Sequence, residues 1–80
     1  MQDEPRIRRE AQSRIDGTER LVRQIDQRKL AREQQQNFET IQSFLDKARE
    51  ALSVRDLQRA YTLADKAYLL AEELSRTLAH

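Results

Sequence analysis

FETIQSFLDKAREALSVRDLQRAYTLADKAYLLAEELSRTL, residues 38–78, is the stretch that decides the fold. At about 100° of rotation per helical residue, Phe38, Ile41, Leu45, Ala48 and Leu52 fall on one stripe, which Phe44 and Ala51 widen. After Ser53-Val54-Arg55-Asp56 a second stripe begins: Leu57, Ala60, Tyr61, Leu63, Ala64, Ala67, Tyr68, Leu70, Ala71, Leu74 and Leu78. This predicts a closely packed helical hairpin, with helices over about 31–53 and 55–78. Asp56 is placed to cap the later helix or to meet the positive end of its dipole. The second stripe covers about half of its helix, wider than the face that one antiparallel partner buries. A third helix must lie against it.

That helix is legible upstream. Ile7, Ala11, Ile15, Leu21, Val22 and Ile25 share one arc, with Thr18 and the stem of Arg14 inside it. Pro5 suits a first turn, and Asp3 and Glu4 favour a helix N-terminus. Gly17 costs roughly 1 kcal/mol relative to alanine in a helix interior. Asp16-Gly17-Thr18 could therefore kink the helix or restart it, but the stripe keeps its phase across Gly17, which predicts one helix over about 5–26. Carried forward in the same frame, the Phe38 stripe arrives on nearly the opposite face, and underwinding to a coiled-coil repeat does not restore the match. The phase must be reset between them. Asp26-Gln27-Arg28-Lys29-Leu30 is the place: Arg28 and Lys29 suit a helix C-terminus, and Leu30 could staple the next helix. The fold expected is a small all-α antiparallel three-helix bundle, one domain over residues 1–80.

Composition agrees and excludes much. One glycine and one proline, with abundant Gln, Arg, Glu, Leu and Ala, predict an almost entirely helical chain without strands. Without cysteine there is no disulfide and no thiolate chemistry. Fifteen basic and fourteen acidic residues give a net charge of +1, spread almost evenly, so a nucleic-acid partner is not implied. Apolar runs are too short for a membrane span or a signal-peptide core. Met1 leaves room for a leader removed upstream. An 80-residue core sits near the size at which association is a common aid to stability.

Phe44-Leu45-Asp46-Lys47-Ala48-Arg49-Glu50-Ala51-Leu52, then Asp56-Leu57, Ala60, Leu63-Ala64, Lys66-Ala67 and Leu70-Ala71-Glu72-Glu73-Leu74, resembles a tetratricopeptide-like hairpin. Ala48, Ala60 and Ala67 sit where that repeat brings its helices close. Arg55 stands where its turn places glycine, no proline follows the second helix, and a lone unit cannot bury its own face. Over residues 18–78, Thr18-Glu19-Arg20-Leu21-Val22, Leu30, Glu33-Gln34 and the hairpin together look like a group of small helical bacterial envelope proteins, often predicted lipoproteins. The resemblance implies a three-helix fold with 1–17 as a helical N-terminal extension. It also implies a place in the periplasm or cell envelope, and it carries over no catalytic residue.

Candidate sites are few. His80 is the only histidine, and ordinary metal sites need several ligands at fixed spacing, so a terminal surface residue is the better description. Tyr61 and Tyr68 could form an aromatic platform but more simply pack at the core edge. Arg6-Ile7-Arg8-Arg9, flanked by Asp3, Glu4 and Glu10, reads as a solvated helix start. Gln34-Gln35-Gln36-Asn37 reads as ordinary surface. Glu10/Arg14, Asp16/Arg20, Glu19/Arg23 and Glu72/Arg76 have the spacing of helix-surface ion pairs. Carboxylates on such a surface lack the cleft and the divergent pKa values of glycosidase chemistry. No enzymatic activity, cofactor, metal or small-molecule substrate is expected. Leu69 lies opposite the middle of the third helix's stripe, with Thr62 and Arg76 near it. These three residues are the candidate surface for a protein partner or for self-association. The alternative is a nucleic-acid or anionic-surface binder working through the arginines of the first helix.

Overall fold

The computed structural model describes residues 3–78. They form α1 (Glu4–Arg23), a 3₁₀ turn (Gln27–Lys29), α2 (Arg32–Ser53) and α3 (Leu57–Leu78), with no strand among the described residues. Pro5 lies in the first turn of α1, beside Glu4, and Arg20 and Arg23 close its last turn. The helix runs through Gly17 without a break, as the unbroken phase of its stripe predicts.

α1 stops at Arg23, short of the expected residue 26, because the backbone tightens and then turns. The N–H groups of Gln24 and Ile25 donate to the Leu21 and Val22 carbonyls, each at 3.1 Å. Asp26 is extended (φ −86°, ψ 103°), and its carboxylate accepts from the Arg28 N–H at 3.1 Å. A side chain that offers its own backbone neighbourhood such a bond competes with helix continuation. The break between the helices therefore spans residues 24–31 and contains the expected 26–30, with Asp26 at its turn. Bonding to Arg28, first through its side chain, holds the Asp26 carboxyl below the usual carboxylate range. Since the folded value is depressed, this contribution is complete above the ordinary carboxylate pKa. It is lost as pH falls through the lowered one.

Ala31 precedes α2 without a capping oxygen, yet its N–H donates to Gln34 Oε1 at 2.9 Å, the reciprocal half of a capping box. Leu30 packs against the core. At the other end Asp56 N–H reaches the Ala51 carbonyl at 2.9 Å and Arg55 N–H the Leu52 carbonyl at 3.1 Å, the bonding pattern of a Schellman motif. The residue at its left-handed position is Arg55, with φ 62°. Arg55 cannot belong to α3, so that helix begins at Leu57 rather than 55, and the Asp56 carbonyl accepts its first bond from Ala60. A side chain in this conformation costs about 1–2 kcal/mol. Arg55→Gly should raise stability by about 1 kcal/mol, read as a higher urea midpoint at unchanged slope.

α3 packs along α1 and along α2, whereas α1 and α2 come close to each other at few points. The reason lies in residue size. Ala60, Ala64, Ala67 and Ala71 are completely buried on α3 and let both neighbours approach its backbone. The α1–α2 side is filled by larger groups, Ile15, Phe38, Ile41 and Leu45, all of them buried. Consecutive helices run antiparallel, so α1 lies parallel to α3, with Arg14 beside Asp65 and Gly17 beside Tyr68. Ala11, Ala51 and Ala60 close the core at the end where α1 begins.

Candidate interaction surface

Seven-residue spacing keeps Thr62, Leu69 and Arg76 in line along α3, and the structure leaves all three exposed. Leu69 is 55% accessible, although α3 contacts two helices. Lys66 and Glu73 are exposed on one flank of this ridge, while Asp65 and Glu72, on the other, are half-buried. The candidate residues thus share one face, as their spacing requires.

A second constellation lies beside the ridge, across the α1–α3 contact. Arg14 Nε donates to Asp65 Oδ1 at 3.2 Å, and the guanidinium carbon stands 5.6 Å from the Tyr68 ring centroid and 6.0 Å from that of Tyr61. Cation–π attraction at such distances contributes about 0.5–1 kcal/mol at exposed sites. The hydrogen bond that Arg14 donates to Asp65 raises the guanidinium pKa above its ordinary value, against an opposing loss of solvation. Tyr61 and Tyr68 therefore sit at the core edge, with Arg14 near both rings. Tyr68 also explains Gly17, where a Cβ would lie 2.9 Å from the ring's Cε1. Thr18, fully buried, satisfies its hydroxyl on the Arg14 carbonyl at 2.7 Å.

The ion pairs differ from those the helix spacing predicts. None of Glu10/Arg14, Asp16/Arg20, Glu19/Arg23 and Glu72/Arg76 is formed among the described residues. Arg14 crosses to Asp65, Glu19 is taken by Arg49 of α2, and Glu10 faces Arg6 at 3.9 Å. A partner on another helix wins where the packing brings it within reach. Arg14 gave a signal, since it falls inside the apolar arc of α1, but nothing in the sequence names Asp65 as its partner. Gln34, read as ordinary surface, has the capping role described above.

The surface carries several depressions. One is lined by Gln27, Gln35, Gln42 and Asp46 over the buried Phe38, and another by Glu4, Pro5, Arg8, Arg55 and Leu57. Among the described residues no group of three or more potential metal ligands occurs, and no helix is long and apolar enough to cross a membrane. His80 lies outside the described residues.

The Arg14 cluster yields a prediction about Gly17. In the parent, Gly17→Ala should leave stability within about 0.5 kcal/mol, because the gain in helix propensity is offset by displacing Tyr68. With Tyr68→Ala already present, the same substitution should stabilise by about 1 kcal/mol. Chemical denaturation of the four proteins of this cycle measures the coupling, and equal effects of Gly17→Ala in both backgrounds would show that Tyr68 is not what selects glycine.

No family model, curated protein or solved structure matches this chain.

Proposed function

We propose that this protein is a non-enzymatic helical interaction or scaffold module, of the kind found in the bacterial cell envelope, which acts by presenting the outer ridge of α3 to a protein partner. The observation that carries this is Leu69, a large apolar side chain 55% exposed at the centre of the Thr62–Leu69–Arg76 line. A single exposed leucine is common on soluble proteins. Here it lies on the helix that the bundle is built around, in a core small enough for association to add useful stability. The likeness of residues 18–78 to small helical envelope proteins supports the cellular setting.

A photo-crosslinking residue at position 69, in the cells that make the protein, tests the ridge. Discrete adducts are expected from position 69 and not from Gln36, exposed on the outer side of α2. Equal yields at the two positions would remove the ridge from consideration.

Binding of nucleic acid or an anionic surface through the arginines of α1 is the competing function. Arg14 is held in the α1–α3 contact, which leaves Arg6, 3.9 Å from Glu10, with Arg8 and Arg9 as the exposed cations at the start of α1. That favours the ridge. A steep loss of affinity for nucleic acid or anionic vesicles between low and moderate salt would favour the arginines instead.

A further inference from the structure

We infer that the ridge of α3 is occupied by the same ridge of a second copy, running antiparallel about a two-fold axis at Leu69. The inference rests on the ridge being the interaction surface and adds its occupant and register. The charge pattern around Leu69 selects this arrangement. Lys66 and Glu73 lie on the same flank, one three residues before Leu69 and the other four after it. An antiparallel two-fold brings that flank of each copy against its own counterpart, so Lys66 of one faces Glu73 of the other, twice per dimer. Arg76 then falls near Thr62 and Asp65 of the second copy. Glu72 approaches Asp65 across the opposite flank, where Arg14, 3.2 Å from Asp65, offsets the like charge. Parallel pairing would instead set each flank against the opposite one, leaving Lys66 beside Asp65 but Glu73 against Glu72, with Arg76 against Arg76 on the ridge itself, and would align the helix dipoles unfavourably. The two Leu69 side chains meet on the axis in the antiparallel form, shielding each other from water.

One leucine per copy with a polar surround makes a small interface, at the weak end of the range for specific complexes. The association should therefore show at high concentration. Sedimentation equilibrium of the full chain from about 10 μM to about 1 mM should show the mass rising from one 9.5 kDa chain towards two. Leu69→Glu should raise the dimer Kd by about tenfold or more with helicity unchanged. Lys66→Glu and Glu73→Lys should each weaken self-association, and mixing the two variants in equal amounts should restore it, because each then supplies the charge the other lacks. A mass of one chain throughout overturns the inference. So does a dimer indifferent to Leu69→Glu, or one in which mixing the charge variants restores nothing. Crosslinks from position 69 to a different protein, with this chain monomeric, would leave the ridge as an interaction surface and reject the second copy as its occupant.

Discussion

Ile41→Ala is expected to lower the free energy of unfolding by about 2–5 kcal/mol. Ile41 is completely buried near the middle of α2 and is among the largest fully buried side chains. It belongs to the cluster that contains Ile15, Leu45, Ala64 and Ala67. Truncation removes apolar contact on the α1–α2 side, where large side chains fill the space. Small neighbours such as Ala64 and Ala67 cannot extend to close the void. At about 0.05–0.15 kcal/mol per residue, the total stability of a chain this size is of order 4–12 kcal/mol, so a large share is at stake. Urea unfolding at unchanged slope measures it. A loss below about 0.5 kcal/mol, the usual effect of a surface substitution, would mean that Ile41 is not at the centre of the core.

Ala64→Leu should destabilise by about 1–3 kcal/mol through overpacking. Alanine and leucine are both strong helix formers, so propensity does not enter. Ala64 is completely buried where α3 meets its neighbours. A side chain extended there has no solvent to turn into, and α1 or α2 must move outward. The control is Leu69→Ala, on the exposed ridge, which should stay within about 0.5 kcal/mol of the parent at concentrations where the chain is monomeric. An Ala64→Leu variant that melts with the parent would show that the helices do not approach as closely as α3's alanines permit.

The periodicity of residues 38–78 and the width of the α3 stripe were enough to give the hairpin and the need for a third helix, because burial on two sides leaves a direct mark on residue type. The phase conflict between Ile15 and Phe38 was enough to place a break. What stayed hidden depends on pairs that only the folded chain brings together. Asp26 turns the chain with a bond to a backbone two residues on, and no glycine or proline advertises it. Arg55 takes a left-handed conformation that sequence alone assigns to glycine. Arg14 and Glu19 have helix neighbours of opposite charge at good spacing and still pair across helices. The exposed ridge was legible because exposure follows from the same periodicity as burial, whereas its occupant requires charge positions on two flanks to be compared.

The arrangement of α1 bears on how the bundle opens. Its contacts are almost all with α3, far away in the chain, while α2 and α3 are joined by a three-residue link and touch along their lengths. Contacts between near neighbours in sequence form early, since little loop entropy opposes them. The hairpin should thus assemble first and α1 dock last. Under native conditions the same order runs backwards: α1 can lift off as a unit while α2 and α3 stay paired, a partial opening cheaper than global unfolding. Backbone amides of α1 should exchange with solvent deuterium through that opening, ahead of those in the middle of α3, so that the two halves of one small core differ in protection.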